Sequence, residues 1–277
     1  MPGLHFFKFR TSQSPDHSSL KLELCKQLAA PADYSVNIHF QDSTCLLCST
    51  GYSAYPVESF RTDQFSYFLD GYLYDNSLSR AASSLEKILL RVESGSTTEP
   101  DKIRDWLLSL DGDFVLFIRN NFSGAWYCLN DVLSRLPIYL AQSGDETCLT
   151  RDVKLAIASA RTDQLKDSAL AQYLLFGFCL GSSTIFAGVE HVRGATFIQI
   201  APGDSRATTT TLHTFAFDQY GDSSGRDEKR LIEMFVEACR TRANAGTQSV
   251  LGLSGGHDSR VVAAGLHRNQ FPTRTYT

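Results

Sequence analysis

The stretch VLGLSGGHDSRVVAAGL, residues 250–266, changes character twice in a short span. Residues 250–253 are uncharged and suit a buried strand, while residues 259–266 have the alanine and leucine content of a helix. Ser254, Gly255 and Gly256 sit at the junction. Glycines let backbone come close to a ligand, and the first amides of a helix lack intrahelical partners. A strand–glycine loop–helix junction of this kind suits a phosphate group.

The two commonest phosphate loops do not fit. A Walker A loop needs a lysine after its glycines, and none follows here; the GxGxxG dinucleotide fingerprint is also absent. Residues 252–256 do read GxSxG, the pattern of a hydrolase nucleophile elbow at Ser254. In such hydrolases the acid and the histidine follow far downstream. The candidates here, His257, Asp258 and His267, lie within or beside one short helix and do not assemble easily around Ser254. A further alternative is a glycine turn that only tightens strand-to-helix packing.

Around this junction the segment RDEKRLIEMFVEACRTRANAG, residues 226–246, carries acidic residues early and arginines late, as a helix dipole prefers. TRTYT, residues 273–277, reads as a second strand. Helix, strand, glycine loop, helix and strand make the start of an α/β parallel sheet. Two strands and one crossover bury too little surface to stand alone unless they pack on the first domain or on further residues, and the reading favours a fragment of a larger protein. Residues 206–228, rich in Gly, Ser, Thr and Asp, are expected to connect this part, 229–277, to an N-terminal domain at 1–205.

That first part is expected to be an α+β layered domain. Strand-like runs are HFFKFR, SVNIHF, QFSYFLDGYLYD, DFVLFIRN, AWYCLND, LPIYLAQ and TCLTRD, with amphipathic helices at SLSRAASSLEKILLRVES and KIRDWLLSL. Residues 113–131 read as an antiparallel hairpin, and Asp70-Gly71 and Asp111-Gly112 suit tight turns or could line a site. Residues 168–189 are uncharged and long enough to span a bilayer, but the GSST at their centre reads as a loop between a helix and the strand-like TIFAGV.

The 277 residues, 43% hydrophobic and 20% charged, fit a soluble globular chain of one large or two ordinary domains. A net charge of −4 argues against nucleic acid as a partner. Neither a signal peptide nor a membrane span is expected, and the seven cysteines, odd in number and sparse, read as reduced cytoplasmic thiols. Cys45 and Cys48 form a CxxC, but a structural zinc would need a second pair or nearby histidines, and Leu46 and Leu47 look like strand core.

SGGHDS, residues 254–259, resembles the SGGxDS loop of the ATP pyrophosphatases, which cleave ATP between the α and β phosphates and adenylate a substrate. The chain as a whole resembles the asparagine synthetase family. Pro2-Gly3-Leu4 stands at its short initial strand, LDGDFVLFI resembles the strand entering its hairpin, NDVLSRLPIYLA resembles its RDxxGxxPLYY segment, and STIFAGVEHVRGATFIQI resembles the segment ending in its L-P-P-G.

The resemblance implies an N-terminal class II glutamine amidotransferase-like domain, a four-layer α/β/β/α sandwich of Ntn type, joined to an adenylating domain. It implies ATP binding by Leu253, Ser254, Gly255, Gly256, Asp258 and Ser259, with Asp258 a ligand of Mg²⁺. The alternative for Asp258 and Ser259 is a helix-capping pair, worth about 1 kcal/mol. The family's nucleophile is a cysteine exposed by removal of Met1. Pro2 stands there and has no thiol, so glutaminase activity is expected to be lost and no catalytic residue is assigned. The family's NGEIYN-like segment reads Asp70-Gly71-Tyr72-Leu73-Tyr74-Asp75, and the arginine of its RDxxG motif is Asn130.

The implied function is ATP-dependent amide formation, with asparagine biosynthesis as the family's role. A small-molecule carboxylate is adenylated, then attacked by ammonia or an amine. Intramolecular closure, as in the β-lactam synthetase and lasso-peptide cyclase relatives, is one alternative, and a nonenzymatic interaction module is another. The reading leaves room for a homodimer.

Overall fold

The computed structural model describes residues 1–10, 17–29, 33–74, 76–93, 99–216, 225–245 and 250–277. The chain divides into two compact units, Met1–Thr214 and Phe215–Thr277.

In the first unit β1 (Gly3–Phe9), α1 (His17–Ala29), β2 (Ser35–Gln41), β3 (Cys45–Gly51), β4 (Val57–Arg61) and β5 (Phe65–Leu73) precede two helices, α2 (Leu78–Glu93) and α3 (Glu99–Leu108). Then come β6 (Gly112–Asn120), β7 (Trp126–Asn130), β8 (Tyr139–Ser143), β9 (Glu146–Thr150), α4 (Val153–Ala160), α5 (Asp167–Phe176), β10 (Val189–His191), β11 (Thr196–Ile200) and β12 (Ala207–Thr211). The strands pair antiparallel in two six-stranded sheets, ordered β10-β8-β9-β1-β3-β2 and β12-β11-β7-β6-β5-β4.

Successive side chains on a strand face opposite ways, and here both ways are apolar. Leu4 and Phe6 on β1 meet Val115 and Phe117 on β6 and Trp126 on β7, with the Phe6 and Trp126 rings 4.8 Å apart. From the other side of β1, Phe7 and Phe9 pack with residues of α1 and α4. On β6, Phe114, Leu116 and Ile118 pack beneath α2 and α3, where Leu78, Ala81, Ala82, Leu85 and Leu89 form one helical stripe. The order is therefore helices, sheet, sheet, helices. Strands buried on both faces lose their polar alternation, which is why β1 and β3 carry apolar residues on consecutive positions, Phe6-Phe7 and Leu46-Leu47.

Several expectations need correction. Asp70-Gly71 is no turn: both residues lie inside β5, and Gly71 at φ +103° is pressed so close to the Asp113 carbonyl that a side chain would collide with it. Residues 207–211, expected to open the connector, are strand β12 and pair with β11; residues 217–224 of that connector lie outside the described residues. TIFAGV is mostly irregular, with an isolated bridge from Phe186 to Leu165, a turn at Ala187-Gly188 and strand starting only at Val189. The uncharged stretch from 168 holds all but the first residue of the ten-residue α5, and no helix among the described residues is long and apolar enough to cross a membrane.

The second unit contains α6 (Gly225–Ala245), β13 (Val250–Gly252), α7 (His257–Arg268) and β14 (Arg274–Tyr276). β13 and β14 pair in parallel, Val250 opposite Arg274 and Gly252 opposite Tyr276. α7 rests on α6 through Gly265, where a Cβ would come within 2.7 Å of Cys239 Sγ, and Asn269 Nδ2 donates to the Val236 carbonyl at 2.8 Å.

Candidate functional sites

The glycine junction is built as the sequence led one to expect, as strand, loop and helix. β13 ends at Gly252, and the Leu253 amide still donates to the Tyr276 carbonyl at 2.8 Å, so the turn begins at Ser254. α7 starts at His257, two residues earlier than its composition suggested, with Gly256 as its N-cap and no side chain capping it. The capping alternative for Asp258 and Ser259 is thereby corrected. Both lie inside the first turn; the Ser259 hydroxyl turns back to the Ser254 carbonyl at 2.8 Å, and its oxygen lies 3.1 Å from Ser254 Oγ.

Ser254, Gly255, Gly256 and Asp258 are exposed, and a Cβ at Gly255 would meet only open space. The loop thus offers two hydroxyls, uncapped helix amides and one carboxylate around an open turn, which fits a phosphate chain and the single hard cation that accompanies it. Ser254 Oγ contacts Ser259 Oγ and the Gly256 amide, while His257 Nδ1 lies 3.5 Å from Arg260 Nη2. These contacts do not form the serine–histidine pair that a hydrolase would use.

A second polar constellation lies at the start of β1, and sequence reasoning missed its assembly. Asp70, fully buried on β5, accepts from the Leu4 amide at 2.8 Å, from the Tyr55 hydroxyl at 2.7 Å and from Arg151 Nη1 at 3.2 Å. Burial pushes the Asp70 carboxyl above its usual range, against the pull of Arg151, Tyr55 and the Leu4 amide. The chain passes directly over this group: a Cβ on Gly3, at φ +135°, would lie 2.5 Å from Asp70 Oδ2 and 2.6 Å from Arg151 Cγ.

One residue further, His5 is buried between two threonines, Nδ1 2.7 Å from Thr150 Oγ1 and Nε2 2.9 Å from Thr50 Oγ1. Thr50 Oγ1 donates to the Met1 carbonyl and Thr150 Oγ1 accepts from the Asp152 amide. The consistent assignment is a neutral ring protonated on Nε2. Burial pulls the His5 pKa down to about 3. The Met1 amine pairs with Asp152, which also caps α4 through the Lys154 amide at 2.9 Å. Pro2, half-buried, contributes no side-chain polar group here.

Asn130 is occupied as well. Its amide donates to the Arg193 carbonyl at 2.7 Å and its oxygen accepts from the Thr196 amide at 2.9 Å, tying the end of β7 to β11. Among the described residues there is no cluster of three or more His, Cys, Asp or Glu side chains that could hold a metal by themselves.

No family model matches the chain, and no curated protein matches it. Among the solved structures similar to it, one is the glutamine phosphoribosylpyrophosphate (PRPP) amidotransferase from B. subtilis complexed with ADP and GMP, at 10% identity and a TM-score of 0.43, over 99% of this chain and 65% of that one. Another is described as the allosteric regulatory enzyme of purine biosynthesis, at 11% identity and a TM-score of 0.40, over 99% of this chain and 64% of that one. The chain thus spans less than two thirds of the length of either. A likeness this distant carries no argument about what the chain does.

Proposed function

We propose that this chain belongs to an ATP-dependent amide-forming ligase of the asparagine synthetase type, in which the N-terminal amidotransferase-like unit no longer hydrolyses glutamine. The observation that carries the reading is the loop at 254–259: parallel β13 and β14 joined through an α7 whose N-terminus is uncapped and open beside Ser254 and Asp258. In this reading the amides of residues 255–259 and the hydroxyls of Ser254 and Ser259 hold the β and γ phosphates of ATP, and Leu253 borders the adenosine. Asp258 would hold Mg²⁺, which would supply the positive charge that neutralises pyrophosphate as it leaves. A substrate carboxylate displaces pyrophosphate, and an amine then attacks the acyl-adenylate to give the amide and AMP.

The nitrogen source is argued from the start of β1. Pro2 has no nucleophile to attack glutamine, and Asp70, Arg151 and Tyr55 are hydrogen-bonded to one another directly beneath Gly3. That favours free ammonia, or an amine of the substrate itself as in β-lactam-forming relatives, over glutamine.

The test is ATP–pyrophosphate exchange by the native protein with a panel of carboxylic acids, alongside Mg-ATP-dependent thermal stabilisation. Both are expected in the wild type and lost in Asp258→Ala, with no ammonia released from glutamine. If Mg-ATP neither binds nor exchanges, the ligase reading fails and a nonenzymatic role replaces it. Labelling of Ser254 by a fluorophosphonate would instead restore the hydrolase.

A further inference from the structure

The CxxC at residues 45–48 does not act as a pair. Side chains three apart on a strand point to opposite faces. Cys45 accordingly lies between the two sheets, with Leu4, Phe6 and Phe117, while Cys48 lies on the outer face with Phe7 and Cys148 beneath α1 and α4. Cys48 instead meets a cysteine from another element. Its thiol donates to Cys25 Sγ on α1 at 3.7 Å, with both residues fully buried.

We propose that Cys25 and Cys48 are a thiol–disulfide modification site that staples α1 to β3, the strand beside the edge of its sheet. A disulfide is about 2.05 Å long, so the sulfurs need approach by roughly 1.7 Å, a step that side-chain rotation supplies. The site also has a reason to matter. α1 is largely polar on its outer side, and it is held to the sheet by Cys25, Leu22, Leu24 and Leu28 and by the buried Lys21, which pairs with Glu146 on β9. A covalent link there closes a loop that contains the edge strand β2 and restrains both elements.

The chemistry needs a two-electron oxidant, and a peroxide suffices. One thiolate attacks hydrogen peroxide to give a sulfenic acid and hydroxide; the second sulfur then displaces the sulfenic oxygen, forming the S–S bond. Two thiols and one peroxide yield one disulfide and two waters. The hydrogen bond with Cys48 and then burial push the Cys25 thiol well above its ordinary value, so the docked pair is slow to react. Reaction is therefore gated by transient undocking of α1, which exposes Cys25 and leaves the two sulfurs facing each other on return.

The experiment treats the native protein with hydrogen peroxide, alkylates it in denaturant and maps the peptides without reduction. The expected product links Cys25 to Cys48, is reversed by dithiothreitol, raises the melting temperature of the wild type, and persists in Cys45→Ala but not in Cys48→Ala. The wild-type map decides alone if a variant fails to fold. The proposal is overturned if Cys25 and Cys48 remain alkylatable thiols, stop at single-sulfur oxidation, or join other cysteines, as in a Cys45–Cys48 or Cys25–Cys148 link.

Discussion

Acid should weaken the first unit through one residue, His5. Its ring is fully buried, neutral and bonded at both nitrogens to threonines, and its pKa falls from 6.5 to about 3. A base whose folded pKa is depressed contributes stability that is present above its unfolded pKa and is lost as pH falls through 6.5 towards 3. Integrated over that window, His5 alone removes about 2 kcal/mol between pH 7.5 and pH 5, and about 3 kcal/mol by pH 4. His39 and His191 are also lowered by burial and act in the same direction, while Asp70 and Asp131, raised by burial, act in the opposite one. The effect of His5 must therefore be read as a difference.

His5→Gln supplies that difference, since an amide keeps a donor and an acceptor in the slot but does not titrate there. At pH 7.5 the variant should be less stable by about 1–2 kcal/mol for imperfect hydrogen bonds. At pH 5 the gap should have closed. The assay is urea unfolding followed by tryptophan fluorescence, because both tryptophans, Trp106 and Trp126, are buried in this unit. Parallel pH dependences for wild type and variant would refute the reasoning, because they would mean that His5 titrates alike in the folded and unfolded chain.

Other consequences are open to the same denaturation assay. Arg151→Met leaves the Asp70 carboxylate buried without its cation, 3.2 Å away in the wild type, and should cost about 3–5 kcal/mol at neutral pH, falling as Asp70 protonates in acid. Gly71→Ala should cost at least about 2 kcal/mol, for its φ of +103° and the Asp113 carbonyl, whereas Gly124→Ala, at φ +77° in open space, should cost about 1 kcal/mol. Pro2→Cys, with Met1 removed, should release no ammonia from glutamine, because Asp70 and Arg151 leave no clearance beneath residue 3.

The layered fold was legible where apolar residues carried the period. The hairpin of β6 and β7 and the stripe on α2 were readable because each answers to a local repeat. α1 was missed because its leucines are diluted by polar residues, and β4 because it is a short, largely exposed strand at the edge of its sheet. The strand, turn and helix around SGGHDS were legible for another reason: they are consecutive in the chain. The Asp70 cluster was not, since Arg151 lies 81 residues from Asp70 and only the stacking of two sheets brings them together. One signal was present, a carboxylate in the middle of FSYFLDGYL, because a charge in a strand buried on both faces requires a partner.

The start of β1 combines features that usually exclude each other. Proteins keep charges out of their cores, yet within four residues of the N-terminus this one buries a histidine, an aspartate–arginine pair and the carboxylate that meets the terminal amine. Replacing such a network with apolar side chains is often neutral or stabilising, so stability alone does not account for it. A carboxylate in the gap between two sheets has to be surrounded by polar partners, because an unpaired buried charge costs far more than a paired one. Arg151 and Tyr55 are those partners for Asp70, with the Leu4 amide completing the carboxylate's bonds. Removing one member alone therefore leaves the others buried without their partner, and only the concerted replacement of all three avoids that cost.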